Sequence, residues 1–252
     1  MLEHVERLTE SGVIATAAVF TSELSAGTAM RTVAEVRRAL ADSRTETPIA
    51  VEDLGFLAEC DIDEFDFRGL FYCSLTWNYD NAYAGGAMDS GRLTNSGKRL
   101  IDAINGKCAV DLAHLNKKSF FEVLDRAQNP ICSHTGFTDH PRCLDKAQIR
   151  ALVKRNSPIG LSAVTKFSGA NSAKDFAVVV DGYVQRYGCD NLCIGTDFNG
   201  SVDFPNDLYD YSMFDTVVTE LNNRGYTDSD CNKIFYDNAK RFYKEIVSER
   251  NL

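Results

Sequence analysis

Short apolar, β-branched runs recur along the chain, each followed by a stretch of different period. Seven such runs read as strands, at residues 13–20, 48–52, 69–75, 108–112, 130–133, 158–164 and 191–195. They are short, apolar or β-branched, and each is followed by a segment with helical periodicity. Between them lie helix candidates. Residues 29–41 carry Met30, Val33, Val36 and Leu40 at three- and four-residue spacing, and residues 117–127 carry Phe120, Phe121, Val123 and Leu124 likewise. Residues 145–154 follow the break at Pro141, and residues 175–187 follow a capping-box-like Ser172-Ala-Lys-Asp175. Thr227 or Asp228 can cap a last helix running to about residue 248. Strand–helix alternation implies parallel strands joined by crossover helices, hence the α/β class. Seven strands suit an open doubly wound sheet or a barrel short of one strand. No G-x-G-x-x-G turn follows the first strand, which weakens the dinucleotide-binding sheet. Glu52, Asn78, His114, His134 and Asp197 fall at or just past the C-terminal ends of successive strands. In parallel barrels that rim carries the chemistry, so the barrel is the expected fold.

With no linker-like or low-complexity stretch, residues 1–252 read as a single domain. A net charge of −9 argues against nucleic acid, whose phosphates require a basic surface. No apolar run approaches the ~20 residues of a membrane span. Nor does Met1-Leu-Glu-His-Val-Glu-Arg7 have the layout of a signal peptide, so the cytoplasm is the expected location. The eight cysteines lack the paired spacings of a zinc knuckle, and several sit in apolar runs; they read as buried free thiols.

Only four histidines are available for chemistry. His114 and His134 end consecutive strands, and adjacent parallel strands lie ~4.8 Å apart, so their imidazoles could share a metal. Each alone is more often a satisfied polar group. Glu52 follows four apolar strand residues, where a carboxylate is costly to desolvate without a cation. That cation could be a metal or an ordinary lysine or arginine. Asp53 should point away from it, by strand alternation. Asp197 offers a carboxylate able to move a proton, although Asp197-Phe-Asn-Gly200 is equally good turn chemistry.

Several segments, in order, resemble the membrane (renal) dipeptidase family. They are Ile49-Ala-Val-Glu52, Leu75-Thr-Trp-Asn78, Gly91-Arg-Leu-Thr-Asn-Ser-Gly97, Val110-Asp-Leu-Ala-His114, Ser133-His-Thr-Gly136, His140-Pro-Arg142 and Ile194-Gly-Thr-Asp-Phe-Asn-Gly200. Arg224-Gly-Tyr-Thr-Asp-Ser-Asp230 resembles the family's entry to its C-terminal helix. The resemblance spans nearly the whole chain. It implies a distorted TIM-like (β/α)8 barrel of the metal-dependent hydrolase type, with two zinc ions sharing a bridging carboxylate. By motif position it implies Glu52 as that bridge, with His114 and His134 as ligands of one metal. It also implies Asp197 as the proton-transferring aspartate, and Arg142 as the grip on the substrate's terminal carboxylate. A guanidinium fork suits that last task because it meets a carboxylate bidentately. The implied reaction is hydrolysis of dipeptides by a zinc-activated hydroxide, D-residue-containing dipeptides among the expected substrates.

Two departures from the family pattern are visible. The family's first strand ends in a His-x-Asp pair that serves the second metal, and no His-x-Asp occurs in this sequence. The first residues resemble the helix that follows that strand, so the barrel is expected without its first strand. His4-Val-Glu6 has a similar spacing but precedes a strand. An uncovered strand edge is an aggregation hazard, which a homodimer could cover. Trp77 stands where many family members carry a histidine that can polarise the scissile carbonyl, and indole offers a single N–H donor. A bacterial branch of the family is similar in carrying Leu-Thr-Trp-Asn. Two alternatives therefore stand beside the dipeptidase: an impaired relative that binds one metal or a small peptide-like ligand, and another amidohydrolase-type reaction.

Overall fold

The computed structural model describes residues 8, 13–42 and 47–249. His4 and Glu6 lie outside them. The chain divides into two compact units, the first running to Asn129 and taking up the C-terminal residues from Ile246, the second spanning Pro130–Glu245.

The first unit contains β1 (Ala17–Phe20), α1 (Ala26–Ala41), β2 (Ile49–Glu52), β3 (Leu70–Ser74), α2 (Asn95–Ile104), β4 (Ala109–Asp111) and α3 (Lys117–Arg126). Its strands are parallel and lie side by side in chain order. β1 starts at Ala17 rather than residue 13, since its ladder begins opposite Ile49, with the Ala17 N–H on the Pro48 carbonyl at 2.9 Å. Thr94 caps α2 and Asn116 caps α3, each side chain accepting a backbone N–H of the first turn. Leu100, Ile101 and Ile104 of α2 and Phe120 and Val123 of α3 are fully buried. Each such side chain contributes about 1.5–3 kcal/mol through removal from water.

The second unit contains β5 (Pro130–Thr135), α4 (Lys146–Lys154), β6 (Ile159–Leu161), α5 (Thr165–Ser168), α6 (Ala173–Tyr187), β7 (Leu192–Ile194), α7 (Phe214–Asn223) and α8 (Asp228–Asn232), and leads into α9 (Asn238–Glu249). β5, β6 and β7 are again parallel and in order. All seven strands expected from the sequence are present. β6 stops at Leu161, not residue 164, because the Ser162 hydroxyl accepts the Val164 N–H and turns the chain toward α5. At α6 the Ser172 hydroxyl accepts the Asp175 N–H as expected, but the Asp175 carboxylate reaches Asn171 N, so no reciprocal box forms. Thr227 and Asp230 do form one at α8. The expected last helix is interrupted between α8 and α9 by a π-helical turn, Lys233–Asp237. All eight cysteines are free thiols, five of them buried. No described helix is long and apolar enough to cross a membrane.

Candidate functional site

At the end of β2 the chain turns sharply. Asp53 has φ +72°, and its carboxylate accepts N–H groups from Gly55 and the Asn81 amide at 2.9 and 3.1 Å. Burial pushes its carboxyl above the usual range, against those hydrogen bonds. Asp53 therefore caps the turn and is spent on structure, as strand alternation suggested. Glu52 points elsewhere, toward the end of β4. Its Oε1 lies 2.7 Å from His114 Nε2, with the two side chains 18% and 6% exposed.

His114 adopts φ +68°, a left-handed backbone that is strained for a non-glycine residue. Its carbonyl accepts Ala87 N–H at 2.7 Å, which holds the turn. Its Nδ1 lies 3.0 Å from Asn78 Oδ1, so Nδ1 carries the ring proton and donates it. The Nε2 lone pair then faces a carboxylate oxygen. Two lone pairs so close require a proton or a cation between them, and carboxylate plus imidazole is a donor set zinc accepts. The Trp77 ring lies 5.9 Å from the His114 ring, centroid to centroid.

In the second unit His134 sits where β5 is irregular: Cys132 pairs with Ile159 and Thr135 with Leu161, so Ser133 and His134 stand opposite the single residue Gly160. Bulges of this kind re-aim side chains at functional sites. His134 Nδ1 lies 2.8 Å from Ser133 Oγ, and Nε2 lies 2.9 Å from Arg142 Nη2. A guanidinium only donates, so Nε2 is the acceptor and Nδ1 carries the proton, the same tautomer as His114. Arg142 is buried, its guanidinium 5.6 Å from the Phe167 ring centroid. His140 accepts the Arg142 backbone N–H at Nδ1, and burial lowers its pKa; it is a neutral loop histidine that fixes the arginine's loop. Asp197, just past β7, is half-buried at φ +61°. Its carbonyl accepts the Gly200 N–H at 3.0 Å, and Asn199 is also left-handed, so the tight turn read from the sequence is present.

The orienting roles of Ser133 and Asn78 on the two imidazoles are not legible in the sequence. Asn78 gave one signal, its place just past a strand end. Ser133 gave none.

The family model described as membrane dipeptidase (Peptidase family M19) matches residues 7–251. The chain belongs to the membrane dipeptidase family. An uncharacterised protein encoded in the pqqA 5′ region of Klebsiella pneumoniae is 25% identical over an alignment of 206 residues, gaps included, that covers 74% of this chain and 76% of that protein. Among solved structures, the metallopeptidase described as dipeptidase AC, of the same family, superposes with a TM-score of 0.80 at 20% identity, covering 95% of this chain and 88% of its own. A metallopeptidase from Rhodobacter sphaeroides, liganded with a phosphinate mimic of L-Ala-D-Ala, gives 0.72 at 21% identity, covering 96% and 72%. The fold is thus the TIM-like α/β barrel of these membrane dipeptidase relatives, built here from seven described parallel strands.

Proposed function

We propose that this membrane dipeptidase relative hydrolyses dipeptides with the help of a divalent metal, zinc by choice of donors, its two compact units acting as one catalytic domain. Glu52, His114 and His134 hold the metal. The observation that carries the reading is the 2.7 Å approach of Glu52 Oε1 to His114 Nε2, with the ring's proton committed to Asn78. His134 has the same tautomer, and its family motif supports its part in the set. With His134 Nε2 serving as a ligand, the Arg142 guanidinium now 2.9 Å from it would be released to meet a substrate carboxylate. When bound, the metal supplies Lewis acidity, acidifying a water and polarising the scissile carbonyl.

The chain's own residues do the rest. Arg142 takes the free carboxylate of the C-terminal residue through two parallel N–H bonds. The Asp197 carboxylate accepts a proton from the attacking water and delivers it to the departing amine nitrogen. The Rhodobacter structure's L-Ala-D-Ala mimic supports including substrates with a D-residue at the C-terminal position.

The test is a panel of L-L and L-D dipeptides incubated with folded, zinc-loaded protein. Hydrolysis of dipeptides, abolished by a chelator, is expected. Folded and metal-loaded protein that cleaves none of them rejects the reading, and leaves a metal- or peptide-binding relative.

A second outcome concerns Asn78. Asn78→Ala leaves the His114 Nδ1 proton without its acceptor and lets the ring turn or change tautomer. Groups that orient metal-bound imidazoles in this way are worth about 10–100-fold in metal affinity. Chelator competition should show zinc binding weakened by about that factor, with Asn78→Asp, which keeps an acceptor oxygen, close to wild type.

A further inference from the structure

An aromatic pair, Phe20 and Trp77, borders the Glu52–His114 pair. Phe20 ends β1, and its register partner in the parallel ladder is Glu52. Register partners on parallel strands project to the same face of the sheet, so Phe20 stands on the face from which Glu52 reaches His114. Its ring meets Trp77 edge-to-face, centroids 5.3 Å apart, and Trp77 in turn lies 5.9 Å from the His114 ring. Yet Phe20 is 49% exposed, whereas its strand neighbour Val19 is buried at 7%. Trp77 is only half-buried. Two large apolar rings are therefore locked against each other beside the candidate ligands, with part of their surface facing water among the described residues. An aromatic pair kept only for packing would gain by closing that surface, at about 25 cal/mol per Å2.

We propose that Phe20 and Trp77 form the wall of a subsite for the side chain of the residue that supplies the scissile carbonyl, and that it selects large apolar or aromatic side chains. The inference rests on the dipeptidase reading of the same centre. The adjacency to His114 singles out the carbonyl-bearing, N-terminal residue, because the reacting carbonyl must sit at the metal ligands. An apolar side chain there is covered by both rings; a glycine leaves them wet. A charged side chain would lose hydration without a partner on either ring face, apart from a cation over the indole.

The chain's one tryptophan is Trp77 itself, so intrinsic emission reports on this wall directly. Two measurements are made on the zinc-loaded protein. In the first, kcat/KM is compared for Gly-, Ala-, Leu- and Phe-led dipeptides sharing one C-terminal residue. In the second, phosphinate mimics of the Phe-led and Gly-led dipeptides are titrated while Trp77 emission is followed. The wild type should prefer Phe-led over Gly-led substrate by about tenfold or more, the range that apolar pocket contacts command. The Phe-led mimic should bind more tightly and give a saturable change in emission. Phe20→Ala, a half-exposed position whose truncation costs little folding, should shrink the Phe/Gly preference by about tenfold, with Phe20→Leu in between. Equal rates for Gly- and Phe-led dipeptides, or a preference that Phe20→Ala leaves intact, overturn the subsite while the dipeptidase reading stands. Tighter binding of the Phe-led mimic without cleavage of any dipeptide does the reverse. If no dipeptide is cleaved and neither mimic changes the emission, both fail.

Discussion

Glu52→Gln is expected to abolish zinc binding and lower kcat/KM by about a thousandfold or more, which corresponds to about 4 kcal/mol of lost transition-state stabilisation. Glutamine has almost the shape of glutamate, so packing around it is preserved. The chemistry is not preserved, for two reasons. The negative charge that attracts a dication is gone, and the new amide can donate an N–H to the His114 Nε2 lone pair that Glu52 Oε1 faces at 2.7 Å. The substitution therefore removes one ligand and occupies the next. For the same reason the metal-free protein should not lose stability, since the new amide–imidazole hydrogen bond satisfies both groups. Zinc per chain, kcat/KM and the urea midpoint of metal-free protein separate these effects. A variant that binds zinc and turns over like the wild type would show that Glu52 faces His114 for structural reasons only.

The largest expected loss of stability comes from two glycines. The Ser133 carbonyl, in the irregular stretch of β5, lies against the Cα atoms of Gly160 in β6 and Gly195 just past β7. A methyl group added at either position would fall far inside van der Waals contact with that carbonyl oxygen. The obstacle is backbone, and it is held on both sides: Cys132 N–H bonds Pro158 O at 3.0 Å and Ser162 N–H bonds Thr135 O at 2.7 Å. The strain cannot relax by turning a side chain. Gly195→Ala or Gly160→Ala should each cost about 3 kcal/mol or more, the upper end of overpacking effects. Because the displaced carbonyl precedes His134, zinc affinity should fall as well. Denaturant midpoints close to wild type for both variants would contradict this account of the bulge.

Much of the fold was legible in the sequence, and the failures have physical causes. Strands covered on both faces are continuous apolar runs, which is why Ile49–Glu52 and Leu70–Ser74 were found within a residue or two of their ends. The ends of β1 and β6 were overdrawn, because an apolar run does not reveal where its ladder partner stops. α1, α3, α4 and α6 each carry a readable apolar stripe. α2 carries one as well, in Leu100, Ile101 and Ile104, but it opens Asn95-Ser-Gly, and Gly97 reads as a helix breaker although it packs close against the Tyr83 carbonyl. α7 has no start signal, as its first turn grows out of a 3-10 segment with Met213 at the cap and no capping side chain.

The candidate site divides along similar lines. Glu52, His114, His134 and Asp197 stood out because polar residues at the ends of apolar strands are costly unless used. The left-handed backbones of His114 and Asp197 gave no signal, since the residue types do not demand them. Phe20 read as one more strand aromatic, because its exposure depends on what the neighbouring strands place around it. The glycines that accommodate the Ser133 carbonyl sit on strands other than its own. No local pattern joins them.

The most direct measurement is an anomalous difference map at the zinc edge from crystals of the zinc-loaded protein. The account predicts one strong peak bound by a Glu52 carboxylate oxygen, His114 Nε2 and His134 Nε2, each at about 2.0–2.2 Å. A peak ligated by other residues, or none near Glu52 in fully loaded protein, would contradict it.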